Sequence, residues 1–190
     1  MTRAELDKRI NEHKGQSQIV ADGIKLVERA RQFALKWHGN QMYGENEPYS
    51  VHLDDVESIL IEFNHISSVL RAAALLHDVL EDTKVDREIF SIEFPGYVNL
   101  IVEAVTSEPG ANRKERNKKT YPKIAKLEYA IIVKLADRLA NGRRSKASGD
   151  PKFNMYKKEY PEFRAALYTS TIDTLPMWWE LDRLFDYQGV

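Results

Sequence analysis

The 190-residue sequence contains no cysteine. Disulfides and thiolate metal ligands are therefore excluded, and any metal must be held by His, Asp, Glu or Asn. The absence fits a cytoplasmic setting, where disulfides are rare. No run approaches the roughly 20 apolar residues that a membrane-spanning helix needs. Met1–Lys14 is charged throughout and lacks the apolar core of a signal region. Charge of one sign is missing too, since 28 Lys and Arg against 29 Asp and Glu leave a formal net charge of −1. That balance removes any whole-chain bias toward acidic membranes or nucleic acid, and no nucleic-acid duplex is expected as a partner. There is no internal repeat and no convincing alternating β pattern. What is present, 43% hydrophobic and 30% charged residues, is the composition of one globular domain.

The apolar spacing predicts an all-α helical bundle. A polar segment over residues 1–18, frayed or briefly helical, precedes one domain over 19–190. Ile24, Val27, Ala30, Phe33, Ala34 and Trp37 recur at helical spacing and predict a helix over Ile19–Trp37. His38–Ser50, rich in Gly, Asn, Pro and Tyr, reads as a loop. Helix returns over Val51–Phe63. A central helix then begins near Ser68, a candidate N-cap. Asp86 can cap a short helix reaching Phe94, and Tyr97–Val105 follows the Pro95-Gly96 turn. Ser107–Lys119 carries Arg113, Lys114, Arg116, Lys118 and Lys119 after Pro109 and Gly110. It reads as a mobile basic segment, either a lid for a phosphate-rich substrate or a merely solvated loop. Further helices are expected over Lys126–Arg144, Asn154–Ser170 and Leu175–Tyr187. Trp178 and Trp179 read as packing residues, and Tyr156 and Tyr160 either pack or close a pocket's rim.

The chemistry gathers in Leu75-Leu76-His77-Asp78-Val79-Leu80-Glu81-Asp82-Thr83. On a helix, His77, Asp78, Glu81 and Asp82 fall within an arc of about 140°. Val69, Ala72, Ala73, Leu76, Val79 and Leu80 take the other side. Buried charges need a partner or a metal, and an adjacent imidazole and carboxylate suit a first-row divalent cation. The alternative is a solvated acidic helix end with an incidental His. A second run, Val133-Lys134-Leu135-Ala136-Asp137-Arg138-Leu139-Ala140-Asn141, repeats the pattern. Asp137 and Asn141 share a face, with Lys134 and Arg144 one turn away. His52 alone reads as a capping or packing residue, and together with the others it offers a second imidazole.

His52, then His77-Asp78, then Asp137 in an all-helical chain resembles the HD superfamily of metal-dependent phosphohydrolases. The two long motifs resemble more narrowly the hydrolase domain of bifunctional stringent-response enzymes and of small alarmone hydrolases. The likeness runs from about Ile19 to Tyr160. It implies that His52, His77, Asp78 and Asp137 bind one divalent ion, Mn²⁺ in that family. Glu81 and Asp82 take the places of the acidic pair that handles water and proton transfer, and Asn141 and Lys134 match positions near the nucleotide. The implied substrate is a purine nucleotide 3′-pyrophosphate, from which pyrophosphate is released.

Departures concern the base. The family loop usually reads Gln-x-Arg-Lys-x-Gly-x-Pro-Tyr-x-x-His-Pro, with its Arg stacked on the purine. Here Tyr43 replaces that Arg, Gly44 the Lys, Asn46 the Gly and Leu53 the Pro, while Arg144 stands where Thr is frequent. Asn46 is tolerable because Asn visits left-handed backbone. Tyr43 either preserves a stacking platform or packs the loop, so guanine and adenine both remain open. A phosphatase acting on another nucleotide or a phosphorylated dinucleotide cofactor is a second enzymatic reading. A nucleotide-binding regulator without turnover is a third, against which the intact Glu81 and Asp82 argue.

Overall fold

In the computed structural model of the chain, residues 3–44, 46–169, 171 and 174–189 are described, with side chains from Lys14 onward. Met1, Thr2, Ser170 and Val190, which the expectations above include, lie outside them. The order is α1 (Arg3–His38), β1 (Met42–Tyr43), β2 (Glu47–Pro48), α2 (Ser50–Glu62), α3 (Ser68–Leu76), α4 (Val79–Asp82), α5 (Arg87–Glu93), α6 (Tyr97–Val105), α7 (Arg113–Ile124), α8 (Glu128–Ser148), α9 (Lys152–Leu167) and α10 (Leu175–Leu184). The two strands form a minimal antiparallel ribbon, with Met42 opposite Pro48 and Tyr43 opposite Glu47. The all-α expectation holds, with this ribbon as an addition.

Helix α3 is the axis. Leu70, Ala72, Ala73, Ala74, Leu75 and Leu76 are all buried, and α1, α2, α6 and α8 pack around them. A helix that is apolar all round belongs inside a protein, and its three alanines let neighbours come close. On α1 the close approach falls at Gly23, where a Cβ would lie 3.1 Å from Ser68 Oγ. Helix α8 is buried over most of Ala130–Ala140 and also contacts α2, α6, α9 and α10.

The structure differs from the sequence expectations at several points. The first helix does not start at Ile19 but runs unbroken from Arg3. Its inner face begins at Val27, and Ile24 is 64% exposed despite its matching spacing. The central helix is not continuous either. It ends at Leu76, His77 and Asp78 form a turn, and α4 restarts at Val79. Asp78, at φ −100° and ψ −4°, leaves regular helix geometry. Ser67, not Ser68, precedes α3, without a side-chain cap. The expected basic loop is largely helix. Asn112 caps α7 by accepting from Glu115 N at 3.0 Å, while Glu115 reaches back to Ala111 N. Trp178 is buried as expected, but Trp179 is 64% exposed. Tyr160 sits inside the fold and donates to Asp182 at 2.6 Å, so it is not a rim residue.

Candidate active site

Three segments bring the imidazoles and carboxylates together. His52 enters from the first turn of α2, His77 and Asp78 from the α3–α4 turn, and Asp137 from the middle of α8. Helix α2 is held in register by Glu57, buried among neighbours, which accepts from Arg71 Nε at 2.9 Å and pairs with Arg31 of α1. His52 lies within two turns of this tie. His52 Nε2 is 3.3 Å from His77 Nε2, 3.6 Å from Asp78 Oδ2 and 3.5 Å from Asp137 Oδ1. His77 Nε2 lies 2.9 Å from Asp78 Oδ2 and 3.8 Å from Asp137 Oδ1. Ligand atoms of His52, His77 and Asp78 all fall within 4.8 Å of one another, a group able to hold a metal ion.

The tautomer tests that fit. His77 Nδ1 lies 2.7 Å from the Ala74 carbonyl, which can only accept. The neutral ring therefore carries its proton on Nδ1 and turns the Nε2 lone pair toward His52 and two carboxylates. Lone pairs and carboxylate oxygens converging on one point call for a positive charge there. The proton affinities agree. Burial lowers His52, but hydrogen bonds to Asp137 and Asp78 and their charges outweigh it and push it up to about 9. His77 is raised in the same way, against burial, chiefly by Asp78. Asp78 and Asp137 are held below the usual carboxylate range despite burial. The imidazole of His77 does most of this at Asp78, and the Lys134 ammonium at Asp137. Two imidazoles and two oxygen donors suit a first-row divalent ion.

Around this cluster, Asp82 accepts from Gln41 Nε2 at 3.3 Å and from the Tyr49 hydroxyl at 3.1 Å. Burial and the nearby Asp78 raise its carboxyl above the ordinary value. The Tyr49 hydroxyl also donates to Asp78, so one phenol bridges both acids. Its ring is stacked on His38, whose Nδ1 donates to Gln41 at 2.8 Å. Glu81 accepts from Ser107 N at 3.0 Å. Lys134 Nζ donates to Asp137 at 2.6 Å, and Asn141 donates to the other oxygen of the same carboxylate.

Two adjoining cavities meet here. The smaller, about 160 Å³, is lined by His52, Asp78 and Asp137 together with Glu81, Asp82, Lys134, Arg113 and Asn117. The larger, about 730 Å³, is walled by Arg144, Ser148, Lys152 and the ribbon. Tyr43, Asn141 and Tyr156 border both. Tyr43 donates to Asn141 Oδ1 at 3.0 Å, and its ring stacks on His52 at 4.8 Å and 23°. The Arg144 guanidinium lies over the same ring at 4.8 Å and pairs with Glu47 and Asp55. The left-handed residue of this loop is Gly44, φ +68°; Asn46 is not among the described positive-φ residues.

All ten residues marked in the sequence thus border the two cavities or lie in the cluster between them. Tyr49, Gln41 and Arg138 were missed, and Arg113 was marked only as part of the basic segment. Tyr49 was visible in Pro48-Tyr49-Ser50-Val51-His52, where the family pattern also has Pro-Tyr-x-x-His.

A family profile described as the HD domain matches residues 30–167, which include every member of the cluster. The chain is an HD-domain protein. The chain is 32% identical over 172 residues to a GTP pyrophosphokinase of Streptomyces coelicolor, covering 87% of this chain and 20% of that protein. It is 34% identical over 124 residues to the guanosine-3′,5′-bis(diphosphate) 3′-pyrophosphohydrolase of Borreliella burgdorferi, covering 62% and 18%. The chain spans about a fifth of the length of the curated relatives it matches. Among solved structures, a metazoan ortholog of SpoT that hydrolyses ppGpp superposes with a TM-score of 0.73 at 26% identity, over 86% of this chain and 96% of that one. No described helix of the HD domain is long and apolar enough to cross a membrane.

Proposed function

We propose that this HD domain hydrolyses the 3′-pyrophosphate of a purine nucleotide of the alarmone class, releasing pyrophosphate. One observation carries the reading: a cluster of two imidazoles and two carboxylates meets, beside two further acids, a small cavity that shares Tyr43, Asn141 and Tyr156 with a neighbouring one of about 730 Å³, room for a nucleoside. The activities of the Borreliella relative and of the SpoT ortholog support it. His52, His77, Asp78 and Asp137 would hold one divalent ion, for which we propose Mn²⁺. Such an ion, when bound, polarises a phosphoryl oxygen and acidifies water.

The remaining work falls to the chain. Asp82, more basic than the ligand carboxylates, accepts the proton of the attacking water, and Glu81 beside it shares the transfer. The water oxygen joins the phosphorus next to the ribose, the bond from that phosphorus to O3′ breaks, and the proton taken from the water is passed on by the acid pair to O3′, which departs as a hydroxyl. Tyr49 fixes Asp82 against Asp78 throughout. Lys134 offsets the charge of Asp137 at the phosphate side, while Asn141, Tyr43 and Arg144 face the nucleoside. The setting we propose is cytoplasmic.

Product analysis with Mn²⁺ against a nucleotide panel tests the reading. Guanosine and adenosine 3′-pyrophosphates should yield pyrophosphate. Orthophosphate released only from a phosphorylated dinucleotide would favour the phosphatase reading, and binding without any turnover would favour a regulator.

A further inference from the structure

Asp82, the acid proposed to take the proton of water, closes the four-residue helix α4 and is exposed. Packing does not set its rotamer. Among the described residues its carboxylate is held by two donors from elsewhere, Gln41 Nε2 at 3.3 Å and the Tyr49 hydroxyl at 3.1 Å. Both donors lean on one side chain. His38, the last residue of α1, is 7% exposed. Its ring stacks on Tyr49 at 4.5 Å and 22°, and its Nδ1 lies 2.8 Å from Gln41 Oε1. The backbone binds the same three residues together: Gln41 N donates to His38 O and Tyr49 N to Gln41 O, each at 2.9 Å.

The acid sets the polarity of this chain of contacts. An ionised carboxylate only accepts, so the Gln41 amide turns its NH₂ to Asp82 and its oxygen to His38. The His38 proton therefore sits on Nδ1. Its Nε2 is buried without a partner among the described residues, an environment for a bare lone pair and not for a charged ring. Burial accordingly pushes the imidazole below its ordinary value, against the Gln41 bond and the nearby Asp78 and Asp82. Reversing the amide would set its oxygen against the carboxylate and its NH₂ against the N–H of His38. We propose that His38 is a positioning residue for proton transfer, which fixes the Gln41 amide so that Gln41 aims the Asp82 carboxylate at the attacking water. The reaction in this proposal rests on the hydrolase reading; the contact does not.

His38→Phe keeps a ring against Tyr49 and deletes the donor, and Gln41→Met deletes the amide at a half-buried loop position. Each should lower kcat for a 3′-pyrophosphorylated nucleotide about tenfold, with KM and the Mn²⁺ Kd within about twofold of the parent. The double variant should fall no more than about twofold below either single one, because His38 acts through Gln41. His38→Asn, whose amide can donate near the place of Nδ1, should recover part of the loss. Parent-like kcat in Gln41→Met would overturn the proposal, even if His38→Phe failed to fold. So would losses that multiply in the double variant, or a kcat loss matched by an equal loss of Mn²⁺ affinity. NMR of the imidazole nitrogens, on the full chain before Mn²⁺ is added, needs no turnover and should show His38 protonated at Nδ1. An Nε2–H tautomer would refute the His38 contact alone, and a parent with the Nδ1–H tautomer that hydrolyses nothing would refute the hydrolase reading.

Discussion

Asp137→Asn removes one oxygen donor from the proposed metal site while keeping its shape. In the parent, Asp137 Oδ1 faces His52 and His77 at 3.5 and 3.8 Å, and Oδ2 accepts from Lys134 at 2.6 Å. Four proposed ligands drawn from α2, the α3–α4 turn and α8 would make the ion a staple that only the folded state can bind. At a hundred times Kd this linkage adds about 2.7 kcal/mol. If the substitution weakens the ion a hundredfold, the same concentration adds only about 0.4 kcal/mol. For a domain of this size the difference corresponds to about 5–9 °C of metal-dependent Tm. The substitution also leaves the Lys134 ammonium without its carboxylate, which lowers stability with or without metal. The informative quantity is therefore the Tm rise on adding Mn²⁺, measured within each protein, alongside Kd by calorimetry. A variant that keeps the full rise and a Kd within about threefold of the parent would remove Asp137 from the ligand set.

Substitutions at four other residues probe the rest of the site. Glu81→Gln and Asp82→Asn should each cut kcat by about 10²–10⁴-fold with the metal still bound, the usual contribution of a general acid or base; pre-steady-state and metal-binding assays of the two would expose any loss of the ion instead. Tyr49→Phe deletes the donor shared by Asp78 and Asp82, and a loss of about tenfold or more in kcat at unchanged fold is expected; parent-like kinetics would make that bridge idle. Tyr43→Ala withdraws the ring between His52 and Arg144, and KM for the nucleotide should rise about tenfold, while Tyr43→Arg should move preference toward guanine; unchanged kinetics in both would detach the ribbon from base recognition.

Spacing made only parts of the site legible, His77 beside Asp78 and Asp137 four before Asn141; that His52 and Asp137 join His77 and Asp78 came from the resemblance to the HD superfamily, because residues so far apart in sequence leave no local mark of meeting. The turn that carries His77 and Asp78 was not legible. Neither residue is Gly or Pro, and His77 keeps helical dihedrals, so the break leaves no local mark in the sequence. Helix α7 was hidden for the opposite reason. Pro109, Gly110 and the charges signal a loop, and the Asn112–Glu115 cap that overrides them needs only two hydrogen bonds. Tyr43 shows a third limit. Its substitution for Arg was plain, but a side chain from α8, 101 positions later, decides what covers the ring. No spacing rule links those two positions.

The ribbon is only two residues long on each strand, with Met42, Gly44, Asn46 and Pro48 facing solvent. The proposed metal ligands and proton carriers, by contrast, hang from helices whose inner faces are the core itself. Selectivity and chemistry are therefore mutable at different rates. If the ribbon faces the base as proposed, a library confined to residues 42–48 would explore new nucleobases while the helices that carry the cluster remain as they are. A search for altered chemistry, on α3 or α8, must repack the interior with every step.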